Sequence, residues 1–130
     1  MKKIPAPKKI TRKKAKALAI KYFNRYIVLR DGKQCVQCGS TEYPTCGHLI
    51  SVTAGDWFRF AEINAHCQCK KHNFRHEYAP EDYTTWFLRE YSRGAYEILV
   101  DQKRMIVKYT TADFLAIAEK YKAACEGLAL

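Results

Sequence analysis

From about residue 12 to 30, apolar positions return every three to four residues and predict an amphipathic helix. Ala15, Leu18, Tyr22 and Tyr26 set the period, with Phe23 and Leu29 alongside, while Lys14, Lys21 and Arg25 fall on another face. Asp31-Gly32 then ends the helix. Residues 1–10 carry two prolines and no period, so a basic flexible arm is expected there. Residues 33–60 read as short strands and turns, with TAGD at 53–56 as a hairpin turn between HLISV and WFRF. Residues 64–78 are expected to enter a short helix. Pro80, Glu81 and Asp82 mark another helix start, with Tyr83, Trp86, Phe87 and Tyr91 as its stripe and Gly94 as its end. A short helix over about 95–104 follows. Thr111 is expected to cap a last helix, with Phe114, Leu115, Ala118, Tyr121 and Cys125 facing inward. These stripes read as core, not as base-stacking platforms.

The 130 residues suit a single domain over 11–130 behind the arm. No apolar run approaches the length needed to span a bilayer, so no membrane partner is expected. The N-terminus has charge but no apolar signal segment. A cytoplasmic location is therefore expected.

Charge changes the picture through its placement. Residues 1–30 hold eleven Lys and Arg and no acid. The whole chain has 23 basic and 13 acidic residues, so the rest holds twelve basic and thirteen acidic. The entire positive excess lies in the first segment, as in a phosphate-binding arm; a solubilising tail is the plainer reading. Lys8, Lys9, Lys13, Lys14, Lys21 and Arg25 are the candidate contacts.

Six cysteines permit three disulfides, but a C-x-x-C pair with histidines and no signal segment favours zinc. Structural zinc needs four ligands from two short loops. Cys35 and Cys38 are one pair, and Cys69-x-x-His72 has the spacing of the second. Cys67 is the alternative to Cys69, disfavoured on the expectation that two cysteines so spaced in an extended chain diverge. Cys46 and Cys125 read as buried residues of the core.

His48 stands between the halves of this set, at the expected start of a hairpin. Asn73 and Glu77, four apart, are expected to share a helix face, and oxygen ligands of that kind suit Mg2+ or Mn2+. A neutral His beside such an ion can activate water as a general base.

The string YFNRYIVLRDGKQCVQCG, CGHLIS and FRFAEINAHCQCKKHN resembles the phage NinG/Rap recombination endonucleases, within the HNH or ββα-metal nucleases. The resemblance runs from about Lys13 to the C-terminus. It implies an α+β protein with a small zinc-stabilised ββα-metal (HNH-like) core over about 33–78, an N-terminal basic helix, and C-terminal helices over about 80–128. It implies Mg2+- or Mn2+-dependent cleavage of DNA, preferring branched or junction DNA. By position, His48 matches the general base, Asn64 the Asn that orients the hairpin loop, and Asn73 the first helix residue on the catalytic ion. Glu77 falls where relatives often place a His, and Arg59 matches a strand residue that contacts phosphate. Lys70, Lys71 and Arg75 lie around this site as further candidate contacts. Three positions depart from the pattern. His72 replaces a Cys, Val52 replaces an Arg, and Gly47 stands where many members carry Asp or His before the base. His66 and His76 read as structural or phosphate-contacting residues.

The reading is a structure-selective DNA endonuclease in which His48 activates water. A catalytically weak zinc-containing DNA-binding module is the alternative, and an RNA-directed nuclease is a further one. Cutting both strands of a junction makes a homodimer attractive.

Overall fold

The computed structural model of the protein describes residues 9–128; the first eight residues of the expected arm, Lys8 among them, lie outside it. The basic helix forms as expected and is α1, Arg12–Arg30. The Thr11 hydroxyl caps it by accepting the Lys14 N–H at 3.1 Å. Its buried seam is Ala15, Ala19, Phe23 and Ile27, a straight i, i+4 line. Leu18, Tyr22 and Tyr26 flank that seam half-buried. The two alanines bring α1 close to the last helix, α6, Thr111–Leu128. There Phe114, Ala118, Tyr121 and Cys125 are buried as expected, with Leu115 at the margin. The cap of α6 is Thr110, one residue earlier than expected. Its Oγ1 accepts the Asp113 N–H while the Asp113 carboxylate accepts the Thr110 N–H, a reciprocal capping pair.

In the chain between these two helices comes a two-stranded antiparallel sheet that packs on α1. Strand β1, Pro44–His48, pairs with β2, Ala65–Cys69, in a register that sets Cys46 against Cys67 and Gly47 against His66. This corrects the expected hairpin in two ways. His48 ends β1 and does not start a hairpin. WFRF is not the second strand; it forms the one-turn helix α2, Asp56–Arg59, after a 3-10 turn at Val52–Ala54. Gly55, at a φ of 148°, makes the junction. The helical turn sends Phe58 into one core and lets Phe60 reach the other, which an extended segment packed on one face would not do.

Residues 64–78 also differ from a single short helix. They form β2 and then α3, Lys70–Arg75. Helix α4 spans Glu81–Glu90 and ends before Gly94. Helix α5, Arg93–Asp101, then starts at a Ser92 cap with Gly94 in its first turn. A 3-10 turn continues it to Arg104. Tyr83 and Phe87 of α4, with Leu99 of α5, join Leu49, Ile50 and Phe58 in a second core; Tyr91 stays 44% exposed. The hairpin is thus held between two cores, one against α1 and α6 and one against α4 and α5.

Arg30 and Asp31 lock α1 to the sheet. The Arg30 guanidinium chelates the Asp31 carboxylate and donates to the carbonyls of Glu62 and Ala65. Asp31 accepts the Cys67 N–H at 2.8 Å. No helix among the described residues is long and apolar enough to cross a membrane.

Candidate metal centre and histidine cleft

The turn after α1 and the β2–α3 junction bring Cys35, Cys38, Cys69 and His72 together. One donor atom from each lies within 4.8 Å of all the others. Cys38 Sγ and Cys69 Sγ are 3.8 Å apart, Cys35 Sγ and His72 Nδ1 3.7 Å, and Cys69 Sγ and His72 Nδ1 3.2 Å. A tetrahedral zinc with bonds of about 2.0–2.3 Å sets its ligands about 3.4–3.8 Å apart, so the donor set fits that ion. All six cysteines are free thiols in the structure.

The thiols differ in acidity. Burial raises Cys35, but backbone amides of Cys69, Cys38 and Gln37 outweigh it and its pKa falls. Burial pushes Cys67 up to about 11 and Cys46 up to about 12. The Ser40 amide lowers Cys38, but burial and the neighbouring Cys35 and Cys69 thiols outweigh it and its pKa also rises. It is therefore the donor distances and not thiol acidity that mark out the cluster. The expected divergence of Cys67 and Cys69 was the wrong reason for preferring Cys69, because residues two apart in a strand share a face. Depth decides instead. Cys67 is fully buried in mid-strand, whereas Cys69 sits at the strand end as the N-cap of α3.

His48 lies at the other end of the strand pair, opposite Ala65, whereas Cys69 stands opposite Pro44. A carbonyl can only accept, so His48 Nε2–H donates to the Arg59 carbonyl at 2.9 Å, leaving Nδ1 with its lone pair. Burial lowers the His48 pKa, and the neutral ring stacks against Phe23, with centroids 6.4 Å apart. His48 lines an open cleft of about 690 Å3 with Cys46, Asn73, His76 and Glu77. Asn73 lies on α3, but Glu77 is in the turn beyond it, so the two share the cleft and not a helix face. The Thr45 hydroxyl donates to the Gln68 carbonyl and therefore accepts the Asn73 Nδ2–H at 3.1 Å; Asn73 Oδ1 is left as its donor atom for a cation. Among the described residues the Cys3His set is the one cluster of three or more His, Cys, Asp and Glu ligands.

Asn64, fully buried, holds the loop after β1. It accepts the Ile50 N–H and donates to the carbonyls of Ile50 and Phe58. That fixes α2, and with it the Arg59 carbonyl that receives His48. Arg59 itself departs from expectation. It sits on α2, and its guanidinium faces Asp56 at 3.8 Å, so it is not a free strand cation. Arg75 pairs with Asp82 at 2.9 Å. Lys9, Lys13, Lys14, Lys21, Arg25, Lys70 and Lys71 are exposed.

Sequence reasoning missed two supports of the strand before His48. Tyr83 donates to the Gly47 carbonyl at 3.0 Å, so it accepts from His66 Nδ1–H at 2.9 Å, and Tyr91 must donate to His66 Nε2 at 2.8 Å. Burial holds His66 neutral, its pKa down to about 4. A Cβ at Gly47 would fall 1.7 Å from Gln68 Oε1, so a side chain there requires Gln68 to move. Gln68 thus fills the space that an acid before the base would need. His76 donates from Nε2 to the Leu49 carbonyl at 2.8 Å, which makes it a structural residue of the cleft wall. Cys46, expected in the core, is half-buried and lines the cleft. A paired Gly and a mid-strand His carry no spacing signal that marks them beforehand.

The fold and site define a small α+β protein built around a Cys3His cluster suited to zinc. The chain belongs to the NinG family: the family model described as Bacteriophage Lambda NinG protein matches residues 2–129. No curated protein and no solved structure matches the chain.

Proposed function

We propose that the protein is a metal-dependent DNA endonuclease of the HNH or ββα-metal kind, acting on branched recombination intermediates. The observation that carries this reading is the neutral His48. Its Nε2 is committed to the Arg59 carbonyl, and its Nδ1 is available as a base in a cleft shared with Asn73 and Glu77. The order β1, β2, α3 supports the ββα assignment, and membership of the NinG family supports a phage recombination role. Zinc on Cys35, Cys38, Cys69 and His72 would tie the turn after α1 to the β2–α3 junction and would supply no chemistry, because all four of its positions would be taken by protein. A divalent ion such as Mg2+ or Mn2+ would stabilise charge on the phosphate and the leaving oxygen. Asn73 Oδ1 and the Glu77 carboxylate are the cleft oxygens suited to hold it. His48 Nδ1 takes the proton of the attacking water, and the buried Phe23 and Arg59 contacts keep its ring oriented. Exposed Lys13, Lys14, Lys21 and Arg25 on α1, with Lys70 and Lys71, provide sequence-independent affinity for backbone phosphates.

A second reading, a zinc-containing DNA-binding module with weak or no catalysis, is favoured by one observation. The space before His48 is filled by Gln68 and offers no acid. Incubation of the zinc-loaded protein with linear, nicked and four-way DNA, with and without Mg2+ or Mn2+, separates the two. Metal-dependent cutting that favours the four-way substrate supports the nuclease. Binding to all three without cutting under either ion supports the module.

A further inference from the structure

The His48 cleft continues past the hairpin edge. Cys46 lines it and also lines a second hollow of about 580 Å3 between the later half of α1 and the start of β1. The two hollows share that residue and so lie next to each other along β1. The second hollow carries Arg25 and Lys33, and neither makes an ion pair among the described residues. Lys33 is held there at a φ of 57°, with its N–H bonded to the Val28 carbonyl at 2.8 Å. Val28 and Leu29 supply an apolar wall. Asn24 Oδ1, in the same lining, is shut off from solvent with no hydrogen-bond partner among the described residues. Native structures leave few such atoms without a reason.

Two unpaired cations, an apolar wall and an unanswered amide oxygen match the three parts of a nucleotide. We propose that this hollow is the subsite for the nucleotides that flank the scissile phosphate on one side. Arg25 and Lys33 hold backbone phosphates, the apolar wall packs against a sugar or base, and the half-buried Asn24 amide, turned out into the hollow, accepts a hydrogen bond from a base amine or a sugar hydroxyl. The electrostatic part gives register along the strand and not sequence preference. This assignment rests on the nucleic-acid reading of the cleft.

The test is affinity against salt concentration for the zinc-loaded full-length protein. It uses fluorescein-labelled single-stranded and duplex oligonucleotides without a divalent ion. Lys33→Ala and Arg25→Ala should each flatten the salt dependence by about one contact, roughly 0.7 in slope on the single strand and 0.9 on the duplex. Asn24→Ala should weaken binding roughly two- to tenfold at unchanged slope, the signature of a neutral contact. Lys122→Ala, an exposed cation on α6, should leave affinity and slope alone. Zinc content and circular dichroism confirm that each variant is folded. Unchanged slopes for Lys33→Ala and Arg25→Ala, or an equal flattening by Lys122→Ala, would overturn the subsite. Failure of the unsubstituted protein to bind either oligonucleotide in dilute salt would remove the nucleic-acid reading and the subsite with it.

Discussion

The Nε2–H of His48 points at the main-chain carbonyl of Arg59, 2.9 Å away across the loop that joins the two strands. This single bond settles which ring nitrogen is left for chemistry. It also ties the candidate base to α2, an element whose position depends on the buried Asn64.

Asn64→Ala should therefore damage the base from a distance. The substitution leaves the Ile50 N–H and the carbonyls of Ile50 and Phe58 without partners in a buried setting. Unanswered buried groups cost about 1–3 kcal/mol each, and partial relaxation should bring the total to about 2–4 kcal/mol. Urea unfolding measures it, and an unchanged midpoint would mean that other contacts hold the loop.

Zinc should bind at one ion per chain, and its chelation should unfold the domain, since the cluster joins the α1 turn to the β2–α3 junction. Cys69→Ala should abolish stoichiometric zinc in metal analysis. Cys67→Ala should keep it, because Cys67 lies buried in mid-strand outside the donor set. The reverse result would move the fourth ligand to Cys67.

Restoring an acid before the base should not help by itself. A Cβ at Gly47 would meet Gln68 Oε1 at 1.7 Å, so Gly47→Asp must displace a buried side chain that is bonded to Gln37. Overpacking of this kind costs about 1–3 kcal/mol. Gly47→Asp combined with Gln68→Ala should recover most of that loss in thermal unfolding. Equal stability of Gly47→Asp and the unsubstituted chain would show that Gln68 moves aside freely.

The zinc set was legible because ligand spacing is local: C-x-x-C and C-x-x-H each lie within a few residues, and the four donors need only one turn and one strand end to meet. The bounds of α1 were legible from its period. Its seam was legible only in part: Ala15 and Phe23 stood out, but the large Leu18, Tyr22 and Tyr26 drew attention from Ala19 and Ile27, and the small Ala15 and Ala19 are what let α6 approach. Strand β2 was read into a helix although Ala65, Cys67 and Cys69 alternate with His66 and Gln68, because five residues give a short signal and the polar pair is buried, not solvated. The aromatic run WFRF looked like a strand. Its side chains serve two cores in different directions, and only the packed chain reveals that. The unpaired Asn24 oxygen and the filled space at Gly47 depend on contacts between distant segments. No single stretch of residues announces them.

The pH dependence and the loss on substitution of His48 bear most directly on the central claim. Burial favours the neutral ring, so the folded pKa lies below the usual 6.5. The base form then predominates above that value. Cleavage should rise with pH along an acid limb whose midpoint lies below 6.5. Protonation also costs stability in the same direction: the unfolded chain takes up the proton first, so stability falls as pH drops through 6.5. The measurement is the rate of Mg2+- or Mn2+-dependent cutting of four-way DNA against pH, for the unsubstituted protein and for His48→Ala. The account predicts a fall of roughly a hundred- to ten-thousand-fold in His48→Ala, with zinc content and DNA affinity retained, and loss of the acid limb in whatever rate survives. Comparable cutting by His48→Ala, with the same pH profile, would contradict it.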